Sequence, residues 1–153
     1  MNIETILKQL KISYQKIEHQ PVYTAAKANF INELITGMPC KNLFLKNSNN
    51  QYFIYTLPAK QRADLKQLAS HINSKRLHFA SPEELYQYLK LTPGTVTPLG
   101  IINDKHIVKV LLDHKLVNQY LLVHPNINTA TISISYDDLL VFIKYCGNDY
   151  TII

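Results

Sequence analysis

The stretch KNLFLKNSNNQYFIYTL, residues 41–57, says most about the fold of this chain. Two runs rich in aliphatic and aromatic residues, Lys41–Lys46 and Tyr52–Leu57, flank a short polar segment rich in asparagine. Apolar, aromatic runs favour strands, and asparagine favours tight turns because its side chain bonds to nearby backbone groups. The pattern therefore predicts a β-hairpin.

Helices and strands are interspersed on both sides of this hairpin. Apolar spacing and capping residues predict helices over 3–10, over 25–34 (N-cap Thr24, closed by Gly37), from Asp64 to about 72, from Ser81 to about 89, and from Asp137 through 143 to an end at Gly147. Alternating apolar residues predict strands over 14–18, 107–112, 120–124 and 130–135. Because these elements do not repeat as regular βαβ units, we expect an α+β fold with a mixed, curved sheet.

Length and charge set broad limits. The chain has 153 residues and a formal net charge of +5, which fits a single domain spanning residues 1–153. This moderate charge permits a polyanionic partner without requiring one, because solubility alone also favours it. No run approaches the roughly 18–20 apolar residues of a membrane span, and no signal peptide is recognisable. We therefore expect no membrane association and a cytoplasmic location.

A second informative stretch is LTPGTVTPLG, residues 91–100. Glycine permits close backbone approach and proline removes an N–H group, so this run cannot be a helix and makes a poor inner strand. It predicts a rigid loop. The loop is either a simple connection or a cradle whose remaining N–H groups bind a carbonyl or phosphate oxygen.

Patterns for metal and nucleophilic catalysis are missing from the sequence. The six histidines form no HxxxH pair, the two cysteines form no CxxC, and no Walker A, GxGxxG or GxSxG motif occurs. We therefore predict no metal and no cofactor. Lys41 beside Cys40 could lower the pKa of the thiol, but a buried, inert Cys40 is the preferred interpretation.

Three basic or imidazole side chains have two interpretations each. Lys41 opens an apolar strand, where it either extends into solvent from the strand edge or places its ammonium on a phosphate in a cleft. Arg76, between a helix and a strand, is either solvated or in contact with a polyanion. His124 ends an apolar strand, where it is either a structural imidazole or part of a site.

Four segments occur in a fixed order along the chain: CKNLFLK (40–46), KRLHFAS (75–81), GTVTP (94–98) and HPNINTAT (124–131). In type and order they resemble the YbaK/ProX family of freestanding aminoacyl-tRNA editing domains. The GTVTP segment resembles that family's GxxxP loop, and the match extends from about residue 21 to 147. The resemblance is to the ProX, or prolyl-tRNA deacylase, branch, related to the insertion domain of bacterial prolyl-tRNA synthetase. It implies a barrel-like core with surrounding helices.

The resemblance also implies an activity, the hydrolysis in trans of the ester in mischarged tRNA, with Ala-tRNA(Pro) as the expected substrate. The implied partners are the acceptor end of mischarged tRNA and prolyl-tRNA synthetase. The backbone of Gly94, Thr95, Val96, Thr97 and Pro98 would bind the ester carbonyl and stabilise the oxyanion. The substrate's own ribose hydroxyl would activate water.

The remaining implied roles belong to four side chains. Lys41 would hold a phosphate or ribose, and Asn42 would position the CCA backbone. Arg76 would contact the acceptor stem, whereas His124 would line the amino-acid pocket, support the loop or act as a general base. In the loop we expect Gly94→Ala to be harmful through backbone strain and Thr95→Val to be milder.

Two other functions remain open at this point. One is deacylation of another mischarged amino acid, such as Cys-tRNA(Pro). The other is a non-catalytic domain that binds aminoacyl-tRNA on the same scaffold.

Overall fold

The computed structural model describes residues 2–21 and 25–153. The helices are α1 (Ile3–Gln9), α2 (Ala25–Asn32), α3 (Leu65–His71), α4 (Pro82–Leu89) and α5 (Tyr136–Cys146). The strands are β1 (Gln15–Glu18), β2 (Met38–Lys46), β3 (Tyr52–Pro58), β4 (His78–Phe79), β5 (Lys109–Leu112), β6 (Tyr120–Val123), β7 (Ala130–Ser135) and β8 (Tyr150–Ile152). The predicted N-cap Thr24 lies outside the described residues.

The eight strands form one mixed sheet in the order β1-β7-β6-β2-β3-β5-β8, with β4 pairing to β2 beside this path. The pairs β2–β6, β3–β5 and β5–β8 are parallel, and the other pairs are antiparallel. The sheet does not close into a barrel, because β1 and β8 are its two end strands. The α+β class, the mixed sheet and the hairpin of β2 with β3 are thereby confirmed.

Strand β2 joins the two parts of this sheet. Its first residues, Met38 and Pro39, pair with β6, whereas its last residues, Leu45 and Lys46, pair with β4. Along its other edge β2 pairs with β3 without interruption from Cys40 onward. Within residues 2–21 and 25–153, no strand pairs with this edge of β2 over residues 40–43, and this open edge lies beside the candidate site.

The sheet carries a hydrophobic cluster on each face. Because side chains alternate along a strand, Phe44 and Ile54 join the larger cluster while Leu45 and Tyr55 join the smaller one. Helices α1, α4 and α5 pack on the larger cluster, and α3 packs on the smaller one. Strands β2 and β3 therefore contribute to both clusters.

Helix ends follow the predicted capping residues. Ser81 and Glu84 form a reciprocal capping box at the start of α4, and the Asp64 side chain accepts from the backbone N–H of Gln67 at the start of α3. Gly147, with φ 79°, caps α5. Helix α2 ends at Asn32, earlier than predicted, and Gly37 instead lies where a Cβ would meet Leu122 at 2.7 Å.

No helix among residues 2–21 and 25–153 is both long and apolar enough to cross a membrane.

Candidate active site

A cleft of about 190 Å³ opens between helix α2 and the strands β2, β6 and β7. Its apolar wall includes Ile31 and Leu122, and its polar groups come from β2, the end of β6 and β7: Cys40, Asn42, His124 and Thr131. The site thus draws on segments far apart in sequence. The sheet order brings them together because β6 lies between β2 and β7.

Asn42 is held in the cleft by its neighbour on β3. The Thr56 hydroxyl donates to Asn42 Oδ1 at 2.6 Å, and Thr56 is fully buried. Because Oδ1 is occupied, the two N–H groups of the amide remain for a ligand. Asn42 therefore presents a fixed hydrogen-bond donor at the cleft.

His124 presents an acceptor. Its Nδ1 lies 2.9 Å from the carbonyl oxygen of Ala130, and a carbonyl only accepts, so Nδ1 carries the proton. In the neutral ring Nε2 is then unprotonated. Burial lowers the pKa of His124 and outweighs the bond to Ala130, which acts to raise it, and the nearby His19 lowers the pKa further. His124 is accordingly a neutral imidazole at pH 7, able to take a proton or accept a hydrogen bond.

The second imidazole at this site was not predicted from the sequence. The His19 ring lies with its centroid 6.4 Å from that of His124. Its Nδ1 donates to the Gln20 carbonyl at 2.8 Å, so its Nε2 accepts from the Thr131 hydroxyl at 2.8 Å. His19 thus orients a cleft hydroxyl. It precedes the quoted motifs in the chain, which is why spacing alone did not single it out.

A hydrogen bond connects the 91–100 loop to the backbone of His124. Thr97, fully buried, donates its hydroxyl to the His124 carbonyl oxygen at 2.7 Å. A Cβ placed on Gly94 would lie 3.6 Å from Asn128 Nδ2, so the loop also borders the segment that follows His124. The loop is therefore held next to His124 and next to the segment that follows it.

Comparison with known proteins identifies the family. Residues 19–142 match the family model described as "Aminoacyl-tRNA editing domain". The chain is 42% identical over 147 residues to "Prolyl-tRNA editing protein ProX" of Acetoanaerobium sticklandii, covering 94% of this chain and 90% of that protein. The chain belongs to the aminoacyl-tRNA editing domain family.

Two further likenesses are more distant. Over 98 residues, 62% of this chain and 59% of the relative, the editing domain is 32% identical to "Multifunctional Ser/Thr-tRNA deacylase ProXp-y" of Escherichia coli K12. A solved protein proposed to be a trans-editing enzyme for prolyl-tRNA synthetase superimposes with a TM-score of 0.75 at 18% identity, covering 98% of this chain and 92% of the other. That likeness shows the fold. Family membership makes this editing domain an enzyme of the aminoacyl-tRNA deacylase class.

Within the editing domain, the loop differs from the prediction in two ways. It contains two short 3₁₀ turns, Pro93–Thr95 and Pro98–Asn103, rather than being free of helical structure. Proline at the first position of each turn is compatible with this, because its fixed φ suits a helical turn and its missing N–H is not needed there. Val96 lies half-buried between the turns and Pro98 is buried.

The expected roles of Gly94 and Thr95 also change. Gly94 does not have a positive φ, and a Cβ there would meet only ordinary contacts, so the expected strain of Gly94→Ala is wrong. Thr95 is less dispensable than expected. Its N–H donates to the Thr92 carbonyl at 2.9 Å and its hydroxyl donates to the same oxygen at 3.0 Å. Thr95 therefore holds the first turn together.

Lys41 lies apart from the lining of the cleft. It is the fourth residue of β2 rather than its first, and it stands opposite Leu57 in the register. Alternation along β2 directs it to the face that carries Leu43 and Leu45, whereas Cys40 and Asn42 line the cleft. A contact of Lys41 with substrate therefore has to reach around the open edge of β2.

Arg76 and Cys40 differ in exposure. Arg76 is exposed between α3 and β4, well placed for a partner at the surface. Cys40 is half-buried, donates its S–H to the Met38 carbonyl at 3.3 Å, and has its pKa raised to about 12 by burial. The raised pKa favours a neutral Cys40 thiol over a thiolate, and the side chain is half-buried rather than fully buried as expected.

Metal ligands do not cluster in the described part of the chain. Across residues 2–21 and 25–153, no group of three or more His, Cys, Asp or Glu side chains is placed to hold a metal ion.

Proposed function

We propose that this editing domain acts in trans on mischarged tRNA, hydrolysing the ester of Ala-tRNA(Pro). The observation that carries the proposal is the pairing, in one small cleft, of a fixed donor on Asn42 with a neutral acceptor on His124. An aminoacyl ester is already reactive, so such a pair suffices without a nucleophilic triad.

The size of the cleft supports a small amino acid. At about 190 Å³ it is smaller than the roughly 300–1,000 Å³ of most small-molecule sites. Ile31 and Leu122 form an apolar wall suited to a methyl group, and a larger side chain would have to displace it. A synthetase pocket discriminates weakly against smaller amino acids, so a separate site that accepts only small ones removes the errors.

The reaction can be written with the residues at hand. Water adds to the ester carbonyl carbon as its proton passes to His124 Nε2. The carbonyl oxygen becomes an oxyanion, stabilised by the backbone N–H groups of Gly94, Val96 and Thr97, because the N–H of Thr95 is bound to the Thr92 carbonyl. The bond between carbon and ribose oxygen then breaks, and the ribose oxygen takes the proton back from His124. Alanine and intact tRNA are released, and no cofactor or metal enters the balance.

The same assignment accounts for the tRNA contacts. Asn42 donates to the ribose or the terminal phosphate at the mouth of the cleft, and Lys41 approaches that phosphate from the open edge of β2. Arg76 contacts the acceptor stem, where an exposed guanidinium suits a phosphate backbone. Prolyl-tRNA synthetase supplies the mischarged tRNA and is the proposed partner.

The test is single-turnover deacylation of Ala-tRNA(Pro), Cys-tRNA(Pro) and Pro-tRNA(Pro). We expect Ala-tRNA(Pro) to be hydrolysed fastest and Pro-tRNA(Pro) to be spared. His124→Asn keeps a donor for the Ala130 carbonyl but removes the base, and should lower the rate by about 10²–10⁴-fold. His71→Ala, an exposed imidazole on α3, is the matched control and should leave the rate unchanged.

The pH profile separates two sources of activation. With His124 as base, the rate falls tenfold per pH unit below its lowered pKa and is level above pH 6.5. A rate that survives in His124→Asn but vanishes with a terminal 2′-deoxyribose would assign water activation to the ribose hydroxyl. Absence of hydrolysis of all three substrates by folded protein would overturn the proposed function, leaving deacylation of a different mischarged amino acid or a non-catalytic binding domain.

A further inference from the structure

Phe79 is an exposed aromatic side chain beside the candidate site. It is 61% exposed, although it belongs to β4 and pairs with the fully buried Leu45 of β2. Contact between an exposed Phe ring and water is unfavourable, so a position of this kind suits a surface that is covered when a ligand binds.

Next to Phe79 is a groove of about 260 Å³ that borders the open edge of β2. Its lining includes Phe79 and Ser81, together with Pro93 and Val96 of the 91–100 loop. Asn42 lines both this groove and the cleft. The groove is thus continuous with the cleft through a single side chain.

We infer that this groove binds the unpaired nucleotides at the 3′ end of tRNA, with one base stacked on the ring of Phe79. The inference rests on the proposed function. Because the amino acid is esterified to the terminal ribose, an amino acid in the cleft places that nucleotide at the cleft mouth. Asn42 lies at the mouth of the cleft, and the groove is the space next to it that the preceding nucleotides would enter.

Charge around the groove agrees with a nucleic acid occupant. Lys75 and Arg76 are exposed just before β4, and Lys41 shares the sheet face of Phe79 because Phe79 stands opposite Leu45 in the register. The nearby acid Glu84 is paired with Lys46 at 2.9 Å. Single-stranded RNA is recognised by this combination of an aromatic platform and cations that follow the backbone.

A tryptophan reporter tests the inference directly, since the chain contains no tryptophan. Phe79→Trp retains a stacking surface, and we expect its emission to change on titration with an RNA hairpin carrying a single-stranded CCA end. Tyr86→Trp is the matched control, because Tyr86 is 59% exposed on α4 but does not line the groove. The same hairpin with a blunt end should leave both reporters unchanged.

Affinity provides the second measurement. Phe79→Ala should weaken binding of the CCA hairpin by about 5- to 150-fold, whereas Tyr86→Ala should have no effect. Unchanged affinity in folded Phe79→Ala would overturn the inference, as would a reporter that responds to prolyl-tRNA synthetase but not to RNA. Neither measurement requires catalysis. Binding of the CCA end at Phe79 without deacylation would therefore reject the proposed function and keep this inference.

Discussion

The two halves of β2 differ in packing although they form one uninterrupted strand. The second half is enclosed between β3 and β4, and Phe44 and Leu45 are buried there. The first half is half-buried, has an open edge over residues 40–43, and lines the cleft with Cys40 and Asn42. The site thus lies where the sheet leaves a strand edge unpaired, and the enclosed part of the same strand holds that edge in place.

Truncation in the enclosed half should give the largest loss of stability. Leu45 is fully buried in the smaller cluster, so Leu45→Ala should lower the free energy of unfolding by about 2–5 kcal/mol. Leu43→Ala, in the half-buried part of β2, should cost less than about 2 kcal/mol. Urea denaturation of both variants measures this. Equal losses would show that the two halves are equally packed.

Breaking the bond between the loop and His124 should have the next largest effect. Thr97→Val removes the donor at 2.7 Å from the His124 carbonyl and leaves that oxygen unpaired, at a cost of about 1–3 kcal/mol. Deacylation should also fall, because His124 is no longer positioned. Thr97→Ser retains the hydroxyl and should restore the rate. A Thr97→Val enzyme with the full rate would separate the loop from the site.

Glu84 of α4, which pairs with Lys46 at the enclosed end of β2, should make stability depend on pH in the acid range. The Ser81 cap, the Tyr52 hydroxyl and Lys46 together lower the pKa of Glu84 from 4.5 to about 2. A carboxyl whose pKa is lowered by folding stabilises the folded state at pH values above its pKa in the unfolded chain. This contribution disappears as the pH falls from about 4.5 through 2.

Glu84→Gln is the variant that tests this contribution. It should cost about 1 kcal/mol at pH 7, and the difference from the unsubstituted protein should shrink toward pH 2. Thermal unfolding between pH 7 and 2 provides the measurement. A difference that is constant with pH would mean that the charge of Glu84 is not involved.

The smallest stability change is expected at Gly94. Because its φ is not positive and a Cβ there would be 3.6 Å from the nearest atom, Gly94→Ala should change the free energy of unfolding by less than about 0.5 kcal/mol. Any loss of deacylation then reports on the approach of the ester to the loop backbone. Circular dichroism melting, together with single-turnover rates, distinguishes these effects.

Much of the fold could be predicted because its signals are local. The asparagine-rich turn between two apolar runs predicts the hairpin, and the residues around Ser81 predict the start of α4 through bonds within one helical turn. Gly147 ends α5 because it adopts a φ of 79° without a Cβ clash. Four motifs in order sufficed to indicate the family that the comparisons then established.

The rest depended on tertiary structure. Strand β8 was not predicted, since three residues gain strand geometry only by pairing with β5. Alternation along the predicted strand already places Lys41 and Asn42 on opposite faces, but only the sheet order decides which of the two faces borders the cleft. The support of Asn42 by Thr56 and the nearness of His19 to His124 likewise require distant segments to meet. Local bonds and alternation are encoded in short stretches of chain, whereas a cleft is a relation between segments that only packing creates.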